Sequence, residues 1–278
     1  MMNNKIIKTL VLLFALSGTI HAQNQYIDAN LGGGLHSLQF DPKIGDHSLG
    51  WGGRIGISYS YFFNEHWGAG AGLGLAYYQS KCTMNGLDPS LECDTVNDNE
   101  NYLLKSYYSG WKERQEMLVC ELPIGGYYQT SINNGWDFVG GAGFVLQLPV
   151  WSKYEVTGGS IKTEGYYLDQ HLLVTDLPHH GFGTDEKRYE DRMETNIGIG
   201  VFAEAGARYW VKDNLALYGG LYGSYELTDA VDGHNPKLHD ANGNYHGTLA
   251  SNQVGKVSLA SFGIKLGVTF LIEKQKRH

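Results

Sequence analysis

The run Leu49–Phe63, LGWGGRIGISYSYFF, alternates with a period of two. Its odd positions are Leu49, Trp51, Gly53, Ile55, Ile57, Tyr59, Tyr61 and Phe63, and its even positions are Gly50, Gly52, Arg54, Gly56, Ser58, Ser60 and Phe62. A strand sends successive side chains to opposite faces, so one face here is large and apolar and the other small or polar. After only Asn64, Glu65 and His66, the run Trp67–Tyr78, WGAGAGLGLAYY, repeats the pattern with Gly68, Gly70, Gly72 and Gly74 on its small face. Two alternating runs joined by three polar residues predict a tight antiparallel hairpin.

The same period recurs at 26–39, 118–125, 136–148, 197–209, 215–226 and 260–270, giving eight strands in all. The connections at 41–48, 64–66, 80–116, 129–135, 152–195, 211–214 and 227–256 alternate long and short, and both termini fall on the short side. That layout predicts an all-β fold: an eight-stranded antiparallel up-and-down transmembrane β-barrel with long extracellular loops and short periplasmic turns. The face opposite the large apolar residues is dominated by Gly, Ser and charged groups, the reverse of a water-soluble barrel. Tyr26, Phe63, Trp67, Trp136, Tyr209, Trp210 and Phe270 fall at the periplasmic ends, and Trp51, Tyr77, Trp151 and Tyr225 at the outer ends. Two interfacial aromatic girdles are expected from them.

Composition narrows the class. The 278 residues include 38 Gly, about twice the usual ~7%, and carry a formal net charge of −8. With a mean hydropathy of −0.29, the chain is not a polytopic helical membrane protein, and its acidity argues against nucleic-acid binding. Residues 1–22 read as a signal peptide: Lys5 and Lys8, the apolar run Leu10–Leu16, then His21-Ala22 before Gln23. Residues 23–272 then form the barrel, and 273–278 a short basic periplasmic tail. Most of the acidic residues fall in the outer loops.

On these alternating strands and alternating loop lengths, the chain resembles small eight-stranded outer-membrane barrels of the OmpA-like type. It resembles especially the outer-membrane β-barrel domain proteins of Bacteroidota, which include PorT-like proteins. The resemblance implies residence in the cell outer membrane, insertion by the barrel assembly machinery, lipid contact, and a monomer. It departs from the OmpA pattern in two ways. Phe270 is followed by Leu-Ile-Glu-Lys-Gln-Lys-Arg-His rather than ending the chain, and no peptidoglycan-binding domain follows the barrel.

Candidate site residues follow from strand parity. Arg54, Glu121, Glu204 and Lys265 point inward at similar depth, two of each sign, so pairing is expected, since isolated charges in a confined interior cost several kcal/mol. Arg208, with Asp28 and Asp137, forms a lower tier. Phe202, Tyr218 and Tyr222 are expected to fill the room left by the inward glycines. Cys82 and Cys93 are a disulfide candidate in an exported polar segment, and Cys120 a packed thiol. His171, His179, His180, Asp176 and Asp185, with His234, His239 and His246, lie in loops without ligand spacing, and Asp240, Asn242 and Asn244 lack the terminal Glu of a calcium loop. No catalytic, metal or cofactor site is therefore expected. The sequence reading is a non-enzymatic barrel serving envelope structure or surface interaction, its aromatic-rich acidic loops facing an extracellular ligand or host surface. A narrow passive channel and a secretion or assembly accessory are the alternatives.

Overall fold

The computed structural model describes residues 24–94, 99–186, 188–234, 237–240 and 242–274. The signal segment and residues 275–278 lie outside the described residues. In chain order the strands are β1 (Asn24–Gln39), β2 (Asp46–Leu49), β3 (Trp51–Phe62), β4 (Trp67–Asp94), β5 (Glu100–Asn133), β6 (Trp136–Tyr167), β7 (Leu172–Val174), β8 (Gly183–Asp185), β9 (Glu190–Arg192), β10 (Gly198–Lys212), β11 (Leu215–Glu226) and β12 (Ser258–Lys274). Among the described residues one 3-10 turn, Pro178–His180, interrupts them.

The ring runs β10-β11-β12-β1-β3-β4-β5-β6 and closes by pairing of β6 with β10, every neighbour antiparallel. Closure leaves no unpaired edge in the apolar layer, which is the condition for a sheet to cross a bilayer. The alternation sorts the faces as the residues require. Leu31, Ile55, Ile57, Ile124, Phe144 and Ile264 stand outward, each at least 59% exposed on the isolated chain. A large aliphatic belt of that kind is stable only against lipid.

Phe63, Trp67, Trp136, Tyr209 and Phe270 lie on the outer surface at one end of the belt, and Trp51, Trp151 and Tyr225 at the other. Tyr26 and Trp210 are corrections to the expected girdle. Both sit at even positions, on the same parity as Asp28 and Arg208, and Tyr26 is buried against Phe62 and Trp210.

The turns follow local chemistry. Asn64 accepts hydrogen bonds through Oδ1 from the backbone N–H of His66 and Trp67, at 2.8 and 2.7 Å, closing the β3–β4 turn. At the β5–β6 turn Gly135 takes a φ of 88°, which favours glycine. Glu273 and Lys274, expected as the first residues of the tail, instead pair with Gln25 and Asn24 as the end of β12.

The largest difference from expectation lies above the outer rim. The segments read as loops at 80–116 and 152–195 are mostly strand. β4, β5 and β6 continue past the apolar belt for about sixteen residues each, roughly 50 Å along the strand. β2 pairs with β4 on one side, and β7, β8 and β9 pair with β6 on the other. The result is a twisted sheet standing on the barrel as a head.

Cys82 and Cys93 lie on the same strand of that sheet, opposite Glu113 and Asn101. Eleven residues of strand separate them by roughly 35 Å, whereas a disulfide needs Cα atoms within about 7 Å. All three cysteines are free thiols, and the expected bridge is not formed.

Candidate functional site

The lumen is the first functional region. Inward positions of β3, β5, β10 and β12 carry Arg54, Glu121, Glu204 and Lys265, which resolve into two ion pairs. Arg54 Nη2 lies 3.2 Å from Glu121 Oε2, and Lys265 Nζ lies 2.6 Å from Glu204 Oε2. Each cation also stands over an aromatic ring, Arg54 over Tyr222 at 5.2 Å and Lys265 over Tyr218 at 5.6 Å. Tyr78 donates to Glu121 at 2.8 Å, and Gln147 donates to the same carboxylate oxygen.

The lower tier is built differently from the acid–base set read from sequence. Arg208 donates to Gln129 Oε1 at 3.3 Å and stands over the adjacent rings of Tyr26 and Trp210. Asp28 instead accepts from Thr269, and Asp137 from Ser131 and Trp210.

The glycines make room for rings. A Cβ at Gly32 would lie 2.8 Å from Tyr222, at Gly141 2.6 Å from Tyr127, at Gly125 2.9 Å from Phe202, and at Gly206 2.7 Å from the Tyr218 hydroxyl. These aromatics occupy the space that a glycine-lined strand would otherwise leave open. Below them a cavity of about 20 Å³ remains, between Asp28, Asn30, Tyr127, Arg208 and Lys265. That is room for about one water.

The second region is the cap on the outer mouth. Residues between β11 and β12 fold across the inner face of the head and complete an apolar core. Ala76, Tyr78 and Val119 at the top of the lumen join Met84, Trp111, Val156 and Ile161 of the sheet and Leu238, Tyr245, Leu249 and Val254 of the cap in one buried cluster.

Glu113 lies at the centre of this cluster, fully buried. It accepts hydrogen bonds from the Tyr245 hydroxyl at 2.5 Å, the Thr248 backbone N–H at 3.0 Å and the Gln115 amide at 2.6 Å. Trp111 Nε1 donates to the Tyr245 oxygen at 3.0 Å, and the Tyr154 hydroxyl to the Tyr245 carbonyl at 3.0 Å. Burial pushes the Glu113 carboxyl above the usual carboxylate range, although its three donors oppose this. Sequence reading missed this latch. Its trace was a carboxylate on the same parity as Trp111, Met117 and Val119.

The loop histidines disperse. His234 bonds to Asp229 and to the Leu249 carbonyl, His246 approaches Asp240 at 3.5 Å, and His171 approaches the Tyr166 hydroxyl at 3.3 Å. Among the described residues, no group of three His, Cys, Asp or Glu is placed to hold a metal. Asp240 instead folds its own turn, accepting from the backbone N–H of Asn242 and Asn244 and from the Asn244 amide. Partial burial raises its pKa, but those hydrogen bonds outweigh burial and leave it below the usual range.

The outward face marks where lipid ends. On β5 it changes from Leu122, Cys120 and Leu118 to Glu116 and Arg114. The charged side joins Arg114, Glu155, Lys153 and Glu190 through contacts of 2.8, 3.8 and 3.2 Å, just above Trp151. Lys153 lies 6.0 Å from the Trp151 ring.

A closed antiparallel ring with a lipid-facing belt, a filled polar lumen and a structured outer head defines an integral outer-membrane β-barrel protein. The chain belongs to the outer membrane protein beta-barrel domain family, whose model matches residues 10–270. Among solved structures it is similar to the Neisserial surface protein A (13% identity, 90% of this chain and 98% of that one, TM-score 0.35). It is also similar to the outer membrane protein OprG of Pseudomonas aeruginosa (11% identity, 91% and 98%, TM-score 0.39). A major outer membrane protein of Thermus thermophilus is another (11% identity, 89% and 99%, TM-score 0.38). No curated protein matches the chain.

Proposed function

We propose that the chain is a non-enzymatic outer-membrane protein whose barrel is a sealed anchor and whose outer head does the work at the cell surface. The observation that carries this reading is the head's own buried core, closed by the Glu113–Tyr245–Thr248 latch over an aromatic-filled lumen. A pore has no use for such a lid, whereas a surface-binding module needs a rigid scaffold to hold its exposed face in place. The Arg54–Glu121 and Lys265–Glu204 pairs then act as a structural plug. Outer-membrane lipid surrounds the belt, and the partner is an extracellular ligand or host surface.

Planar-bilayer recording of the refolded protein tests the seal. The expected trace is flat for the wild type. Discrete openings whose size changes in Arg54→Ala or Glu121→Ala would overturn the sealed anchor in favour of a channel. A secretion defect on deleting the gene would instead favour an accessory role of the PorT type.

A further inference from the structure

The head carries a second cavity, on the sheet face turned away from the capped core. It measures about 450 Å³ and is lined by Tyr107 and Ser109 of β5, Ser160, Lys162 and Glu164 of β6, and Thr184 of β8. It is open to solvent on its outer side, so a ligand would lie on the sheet face rather than be enclosed. Tyr107, Lys162 and Thr184 are register neighbours across three strands, and Ser109 and Ser160 form the next row, so rigid sheet backbone fixes their spacing.

Three properties of this lining define a ligand class. First, among the described residues none of the four hydroxyls, those of Tyr107, Ser109, Ser160 and Thr184, has a hydrogen-bond partner within the protein. They offer donors and acceptors together. Second, Lys162 and Glu164 lie 2.6 Å apart, so the cavity presents a donor beside an acceptor with no net charge. Glu164 is held in place, its side chain only 9% exposed, while Lys162 reaches into solvent. Third, the Tyr107 ring supplies the one aromatic surface of the lining. An anionic ligand would meet a lysine already neutralised, and a hydrocarbon would strip water from four hydroxyls without replacing it. A ring of C–H groups edged by neighbouring hydroxyls satisfies all three properties: C–H on the tyrosine face, vicinal O–H across the Lys162–Glu164 pair, and further O–H to Ser and Thr.

We propose that this cavity is a binding site for neutral carbohydrate. The proposal deepens the surface-interaction reading and depends on it only for the head facing the medium.

The test uses the refolded protein in dimethylamine-oxide micelles, which carry no sugar. Neutral hexose and N-acetylhexosamine oligosaccharides are titrated by calorimetry, beside sulfated and sialylated counterparts. The expected result is saturable binding of at least one neutral oligosaccharide, weakened about tenfold by Tyr107→Ala, the loss of one ring contact. Lys162→Ala and Ser160→Val should weaken it as well. A heat-modifiable gel shift and retained exchange protection in residues 245–251 establish that each variant is folded. No binding by any neutral oligosaccharide, binding only of the charged set, or binding indifferent to Tyr107→Ala and Lys162→Ala overturns the site. None of these results bears on bilayer conductance, so failure of the site and failure of the sealed anchor are read separately.

Discussion

Glu113 ties the stability of the cap to pH. Burial raises its carboxyl above the ordinary 4.5, so folding favours the protonated form more than the unfolded chain does. Its contribution to stability is therefore complete below the unfolded value and is lost as pH rises through the raised folded one. The slope reaches at most ~1.4 kcal/mol per pH unit for one proton. The protection of residues 245–251 against hydrogen exchange, measured relative to the intrinsic rate at each pH, should thus fall as pH rises from the acid side, and Glu113→Gln, which keeps an acceptor for Tyr245, should flatten that fall. Equal slopes in the two proteins would show that Glu113 is not the titrating group. The cysteines give a second prediction at this scale. Cys82 is buried, and burial pushes its thiol up to about 12, so it should resist alkylation in the native protein while exposed Cys93 reacts. Reductant should leave the electrophoretic mobility unchanged.

Each barrel strand was legible because lipid and lumen impose opposite demands on its two faces. Ile55 and Ile57 could not share a face with Arg54 and Ser58, and alternation fixed the register. Once β5 leaves the bilayer, the outward face becomes charged at Arg114 and Glu116 and the inward face carries Glu113 and Gln115. Both faces then read as polar, and the segment passes for a loop. Irregularities at Met84/Gly86 and Ser109/Lys112 shift the pairing as well, so no single parity runs the length of the strands. The inward charges were readable by parity, whereas the cap's contacts join residues 132 positions apart and leave no local pattern. The glycines separate the two faces experimentally. A Cβ at inward Gly143 would lie 2.2 Å from the Ile124 carbonyl oxygen, but at lipid-facing Gly126 nothing lies nearer than 4.0 Å. Gly143→Val should destabilise the barrel by about 1–3 kcal/mol, read as a lower temperature for loss of the heat-modifiable band. Gly126→Ala should leave that temperature unchanged.

Taken whole, the molecule joins two solvents through one sheet. Below Trp151 it is an inverted barrel with apolar residues outside; above it, the same strands fold around an apolar interior. Replacing residues 229–256 with a short glycine-serine linker should uncover Trp111, Met84 and Ile161 and raise binding of an apolar dye, while the band stays heat-modifiable. A variant with no added dye binding would mean that the head's core does not depend on the cap. The position of that cap in the chain bears on biogenesis. It lies between the last two strands, and β12 is the strand that meets β1 to shut the ring. Trp111 precedes the covering segment by more than a hundred positions in the chain, so the head's core cannot close before that segment is in place. Closure of the head and closure of the ring therefore draw on the same end of the chain, and a chain cut before residue 229 should leave Trp111, Met84 and Ile161 uncovered.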